Sequence, residues 1–70
     1  MVMPLSARNQ LPGKIESLQN GEILSHVVVR VGDHLIESVI TRTSADEMNL
    51  KPGDSVRAVI KSTEVMIAKD

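Results

Sequence analysis

Five consecutive residues, Ser6-Ala7-Arg8-Asn9-Gln10, bring together a hydroxyl, a guanidinium and two carboxamides, with no alternating apolar pattern running through them. Arginine stays charged at any working pH and serine donates through its hydroxyl, so the run has the chemistry of a short polar strap around a small anion. The same composition also suits a solvated chain end. What a strap would need is supplied further on: the donor clusters Thr41-Arg42-Thr43-Ser44 and Lys61-Ser62-Thr63 each follow directly on an apolar run.

The elements that must position these groups are bounded by length. Seventy residues make one domain at most, and a domain of this size buries only about 60% of the surface its unfolded chain exposes, so its core needs a supplement. With no cysteine, disulfides and thiolate metal sites are excluded. His26 and His34 stand eight positions apart without a partner motif and read as ordinary strand or turn residues rather than metal ligands. Association of identical chains is the remaining supplement. A net charge of -1 offers no field for nucleic acid or an acidic membrane, and the absence of aromatic residues removes the stacking platforms that grip single strands. No basic leader and no apolar run long enough to span a bilayer is present, which gives the expectation of a soluble cytoplasmic protein.

In chain order, a first strand is expected from about Asn9 to Leu18, with Pro12-Gly13 marking an edge position or a bulge. Asn20-Gly21 suits a turn with positive φ. Ile23 to Val31 is a strand rich in β-branched residues and apolar on both faces, which a second subunit could cover. Gly32-Asp33 turns the chain into a third strand, His34 to Thr41. Ser44-Ala45-Asp46-Glu47 has the spacing of a capping box, opening a short helix to about Leu50. Pro52-Gly53 fits a type II turn, Ser55 to Lys61 a fourth strand with Val56, Ala58 and Ile60 on one face, and Val65 to Ala68 a fifth. One all-β domain over residues 1–70 is expected, with 1–5 and 69–70 frayed. It has one short helix and strands at roughly ten-residue spacing, as in a five-stranded OB-like β-barrel.

The S-A-R-N-Q strap, the I-T-x-x-S segment at Ile40 to Ser44, the L-K-x-G-D turn at Leu50 to Asp54 and the V-I-K-S-T-E-V-M-I-A ending at Val59 to Ala68 together resemble the molbindins. These are small Mop-domain (TOBE-type) molybdate-binding proteins. The resemblance implies an OB-like barrel, a homo-hexamer built as a trimer of dimers, and intracellular storage or buffering of molybdate or tungstate at subunit interfaces, with no catalytic cofactor. It also implies oxyanion contacts at Ser6, Ala7, Arg8, Thr41, Ser44, Lys61 and Ser62. The stretch from Ser17 to His26 has no counterpart in the resemblance, so any second class of site is unassigned.

The chemistry of these residues agrees with that implication. Molybdate is a tetrahedral dianion with acceptor oxygens only, so its site must present donors and no carboxylates. Arg8 and Lys61 offset the charge, and Ser6, Thr41, Ser44 and Ser62 direct hydroxyls. Ser44, as the expected start of a helix, would add the unsatisfied N–H groups of a helix N-terminus. Each residue also has an ordinary reading: Ser44 as a plain cap, Lys61 as a solvated strand end, Thr41 as a strand former. Their occurrence together at strand ends weighs towards a site. An OB-fold nucleic-acid or ribosome-associated module would share the fold, but should carry a basic face and aromatic platforms. An enzyme would need a nucleophile and base, paired carboxylates or a metal cluster, and no such motif is present.

Overall fold

A computed structural model describes residues 6–70, and the frayed segment expected at 1–5 lies outside the described residues. Four strands form one antiparallel sheet: β1 (Asn9–Asn20), β2 (Leu24–Val31), β3 (His34–Thr41) and β4 (Ser55–Ile60), in the order β3-β2-β1-β4. A six-residue helix, α1 (Arg42–Glu47), joins β3 to β4. The strand β1 is the shared element. Its first half, Asn9 to Lys14, pairs with β4 from Ile60 back to Ser55, and its second half, Lys14 to Asn20, pairs with β2 from Arg30 back to Ser25.

Pro12-Gly13 therefore does not place β1 at an edge: the strand is central, and the edges are β3 and β4. Pro12 is tolerated because it lies beyond the last β2 partner and faces only Arg57 of β4. The bulge, the other expectation at this strand, is present. Ile15 opposes Val29 while Ser17 opposes Val28, so Glu16 is extra. The additional residue resets the alternation, which is how Ile15 and Leu18, three apart, both reach the core.

That core is built from Ile15, Val27 and Val29, with Leu18, Val31, Ile36, Ile40, Leu50 and Val56 packed against it. The period of two holds on β4, where Val56, Ala58 and Ile60 are half-buried and Arg57 and Val59 exposed. On β2 the outer face carries His26, Val28 and Arg30, so only part of the expected second apolar face exists. Gly13 is a close approach. A Cβ there would collide with the Arg30 carbonyl oxygen and meet Val29 Cγ1 and Val31 Cγ2 at 3.0 Å. Gly13→Ala is expected to lower stability by about 1–3 kcal/mol through overpacking, read as a lower urea midpoint at unchanged slope.

The turns follow local chemistry. Gly32, at φ 61°, opens the two-residue connection between β2 and β3. Gly53, at φ 91°, completes the Pro52-Gly53 turn, which Asp54 N closes on the Lys51 carbonyl at 3.1 Å. Asn20-Gly21 behaves differently. Positive φ is taken elsewhere, and a wider loop is closed by Gly21 N on the Leu24 carbonyl at 2.8 Å. Beneath it the fully buried Ser25 donates to Asn20 Oδ1 at 2.7 Å.

Two expected features are corrected. The helix starts three residues earlier than its capping-box pattern suggested, with Thr41 rather than Ser44 as N-cap. It also stops at Glu47 instead of Leu50, because Asn49 takes φ 50° and the Asn49 and Leu50 amides donate back to the Asp46 and Ala45 carbonyls at 3.0 and 3.2 Å, a Schellman closure. The fourth strand ends at Ile60, and the chain then makes a 3-10 turn at Ser62–Glu64. The expected fifth strand is not formed: Val65 is extended but residues 65–70 pair with no strand of the described residues, so a five-stranded barrel is not closed within one chain. A β-strand needs an edge to pair with, and propensity at Val65 to Ala68 supplies none.

Candidate functional site

The structure gathers the expected site residues into two groups. In the first, the Asn9-to-Ile60 pairing ends the β1–β4 ladder, so the next residues outward, Arg8 and Lys61, emerge side by side. Asn9 Nδ2 donates to the Ile60 carbonyl at 3.3 Å and ties the two strand ends. Ser6, Arg8, Lys61 and Ser62 are exposed and Ala7 half-buried. Lys61 occupies the cap position of the 3-10 turn, whose Glu64 amide donates to its carbonyl at 2.9 Å, with no side-chain cap. The Lys61 ammonium and Ser62 hydroxyl thus stand at a turn formed by backbone alone.

The second group, Thr41 and Ser44, lies at the other end of the sheet. Thr41 pairs with Leu24, one residue beyond the rung where Ser25 joins Asn20, so the whole of β1 separates it from Arg8. Thr41 Oγ1 accepts from Ser44 N at 3.1 Å and donates to Ser44 Oγ at 2.8 Å. Arg42 between them donates to Asp46 Oδ1 at 3.0 Å and to the Gly21 carbonyl at 3.1 Å, which pins the helix start to the β1–β2 loop. Thr41→Ala removes the cap and is expected to cost about 1 kcal/mol of stability, with Thr41→Ser restoring most of it in a urea titration. No hydrogen bond among the described residues joins the two groups.

Charge is arranged differently along the middle of the sheet. Arg30 Nε donates to Glu16 Oε2 at 2.6 Å, and that hydrogen bond holds the Glu16 carboxyl below the usual carboxylate range while raising the guanidinium. A depressed acid stabilises the fold above its ordinary pKa, and loses that contribution as pH falls through the lowered value. Both groups are exposed, so the contribution is small. Among the described residues no group of three His, Cys, Asp or Glu side chains could hold a metal ion, and no helix is long and apolar enough to cross a membrane.

The TOBE domain family model matches residues 5–67, nearly the full chain. This chain belongs to the TOBE-domain molbindins, the Mop proteins. Over 66 residues it is 47% identical to molybdenum-pterin-binding protein 1 of Clostridium pasteurianum, covering 93% of this chain and 97% of that one. The structure of a molybdate-binding protein from Sporomusa ovata superposes with a TM-score of 0.91 at 30% identity, covering 96% of this chain and all of the other. MopII of Clostridium pasteurianum in an apo form gives 0.88 at 42% identity, over 94% and 100%. Each of these matches covers at least 93% of this chain and 97% of the relative.

Proposed function

We propose that this protein binds molybdate or tungstate at interfaces between copies of itself, as a cytoplasmic store or buffer of the oxyanion and not as an enzyme. The single domain over residues 1–70 is the unit of a homo-oligomer, a hexamer arranged as a trimer of dimers. The observation that carries this reading is the division of the donors. Arg8, Lys61, Ser6 and Ser62 stand at one end of β1, Thr41 and Ser44 at the other, and apposing two copies brings both ends to one anion. A C2 pairing does this twice with one surface, which matches the closed symmetry of most homo-oligomers.

Assembly has its own support. An apolar depression lined by the half-buried Ile36, Ile40, Leu50, Val56, Ala58 and Ile60 opens between the edge strands β3 and β4. Beyond it Met66 and Ile67 are 93% and 89% exposed. Apolar surface of both kinds favours association. In this reading Val65 to Ala68 becomes the fifth strand, and the OB-like barrel closes, when copies associate.

Metal analysis of protein purified after growth with molybdate tests the function, beside a gel shift with single-stranded RNA. Molybdenum co-purifying in fixed proportion to chains is the expected result; RNA binding without molybdenum would replace this reading with a nucleic-acid module.

A further inference from the structure

The geometry points to Gln10 and Arg57 as positioning residues that aim the backbone of the Ser6-Ala7-Arg8 strap at the bound oxyanion. The inference rests on the proposed oxyanion site and adds two residues that do not themselves touch the anion. It begins with a chain of three groups. Arg57 Nη1 donates to Gln10 Oε1 at 2.7 Å, and Gln10 Nε2 donates to the Ala7 carbonyl at 3.5 Å. Arginine is a donor only, so its bond fixes which end of the Gln10 amide is oxygen. The Gln10 nitrogen is then the end that reaches Ala7. The first bond, to a charged donor, is the stronger; the second is long, and it matters because of what it orients.

In a trans peptide the carbonyl of one residue and the N–H of the next point in opposite directions. Holding the Ala7 carbonyl towards Gln10 therefore turns the Arg8 amide hydrogen to the opposite side. Two consequences follow for an acceptor-only dianion. A backbone donor is presented beside the Arg8 guanidinium, and the Ala7 carbonyl, which would repel the anion, is kept occupied. Near a chain end such a peptide has no sheet partner to fix it, since β1 starts at Asn9. The side chain of Gln10 does what a ladder would do further along, and Arg57, two residues from Gln10's β4 partner Val59, holds Gln10 in place.

A double-mutant cycle read by molybdate titration tests this. Gln10→Ala and Arg57→Met are each expected to weaken binding by about tenfold, the worth of one hydrogen bond, and the double variant to bind no worse than Gln10→Ala alone. The Arg8 amide nitrogen–proton resonance, followed by NMR, should shift on adding molybdate to the wild type and shift less in both variants, a change that loss of global stability would not produce. Wild-type affinity in Gln10→Ala, or effects of the two substitutions that multiply in the double variant, would overturn the positioning role while leaving the site itself intact. A wild-type protein that does not bind molybdate would remove the site and this inference together.

Discussion

Replacing Arg8 by alanine is expected to abolish most of the oxyanion affinity while leaving the sheet folded. Arg8 is exposed in the single chain, one residue outside β1, and is not a member of the core cluster. Its removal should therefore spare the unfolding midpoint of the ligand-free protein. At an interface the picture changes, because a dianion taken out of water depends on each cation that faces it. Truncating one partner of a desolvated charge pair costs roughly 2–5 kcal/mol. Arg8→Lys should recover only part of this, since lysine keeps the charge and loses the planar fork. Calorimetric titration of molybdate into the three proteins makes the comparison, and wild-type affinity for Arg8→Ala would take Arg8 out of the site.

Molybdate and tungstate should raise the thermal midpoint, and phosphate at equal concentration and ionic strength should not. A ligand that binds only the assembled, folded protein stabilises it by RT ln(1 + [L]/Kd), about 2.7 kcal/mol per site at 100 times Kd. The phosphate arm separates a fitted site from general screening of charge. Two lysines provide the internal control. Lys61 leaves the β4 end beside Arg8, whereas Lys51 precedes the Pro52-Gly53 turn, where its ammonium lies 3.9 Å from Asp54. Lys61→Ala and Ser62→Ala should shrink the shift and Lys51→Ala should keep it. Equal stabilisation by phosphate and molybdate, or a shift lost in Lys51→Ala but retained in Lys61→Ala, would contradict the site.

The strands from Leu24 to Ile60 were legible because β-branched runs, the period-two spacing of the fourth strand and Gly or Pro punctuation act locally: the third strand, His34–Thr41, is found with its expected bounds, and the Pro52-Gly53 turn has its expected glycine conformation. What misled was competition between equivalent local signals. Thr41 and Ser44 are both good caps three residues apart, and the backbone chose Thr41 because Ser44 N then falls at hydrogen-bonding distance of its hydroxyl. Asn49 ended the helix by taking positive φ, a role that sequence gives more often to glycine. The placement of β1 and the absence of a fifth strand depend on which edges lie next to which, and no local pattern encodes that. For the site, residue types marked the donors, and register decided their grouping. Gln10 stood inside the polar strap from the start, whereas Arg57 fell in the fourth strand, on the face opposite Val56, Ala58 and Ile60. Only the antiparallel pairing of β1 with β4 brings its guanidinium to Gln10.

A mixed-oligomer complementation tests most directly whether the anion is held between chains. Arg8→Ala disables one end of β1 and Ser44→Ala the other, so each variant alone should bind little molybdate. Refolded together in equal amounts and isolated through two different affinity tags, they should regain about a quarter of the wild-type stoichiometry, because a site that takes one end from each of two randomly paired chains is intact in one case in four. Titration of the mixed oligomer that restores this fraction is the predicted result; a mixed oligomer that binds no better than its two parents would place all the donors of a site in one chain and contradict the account.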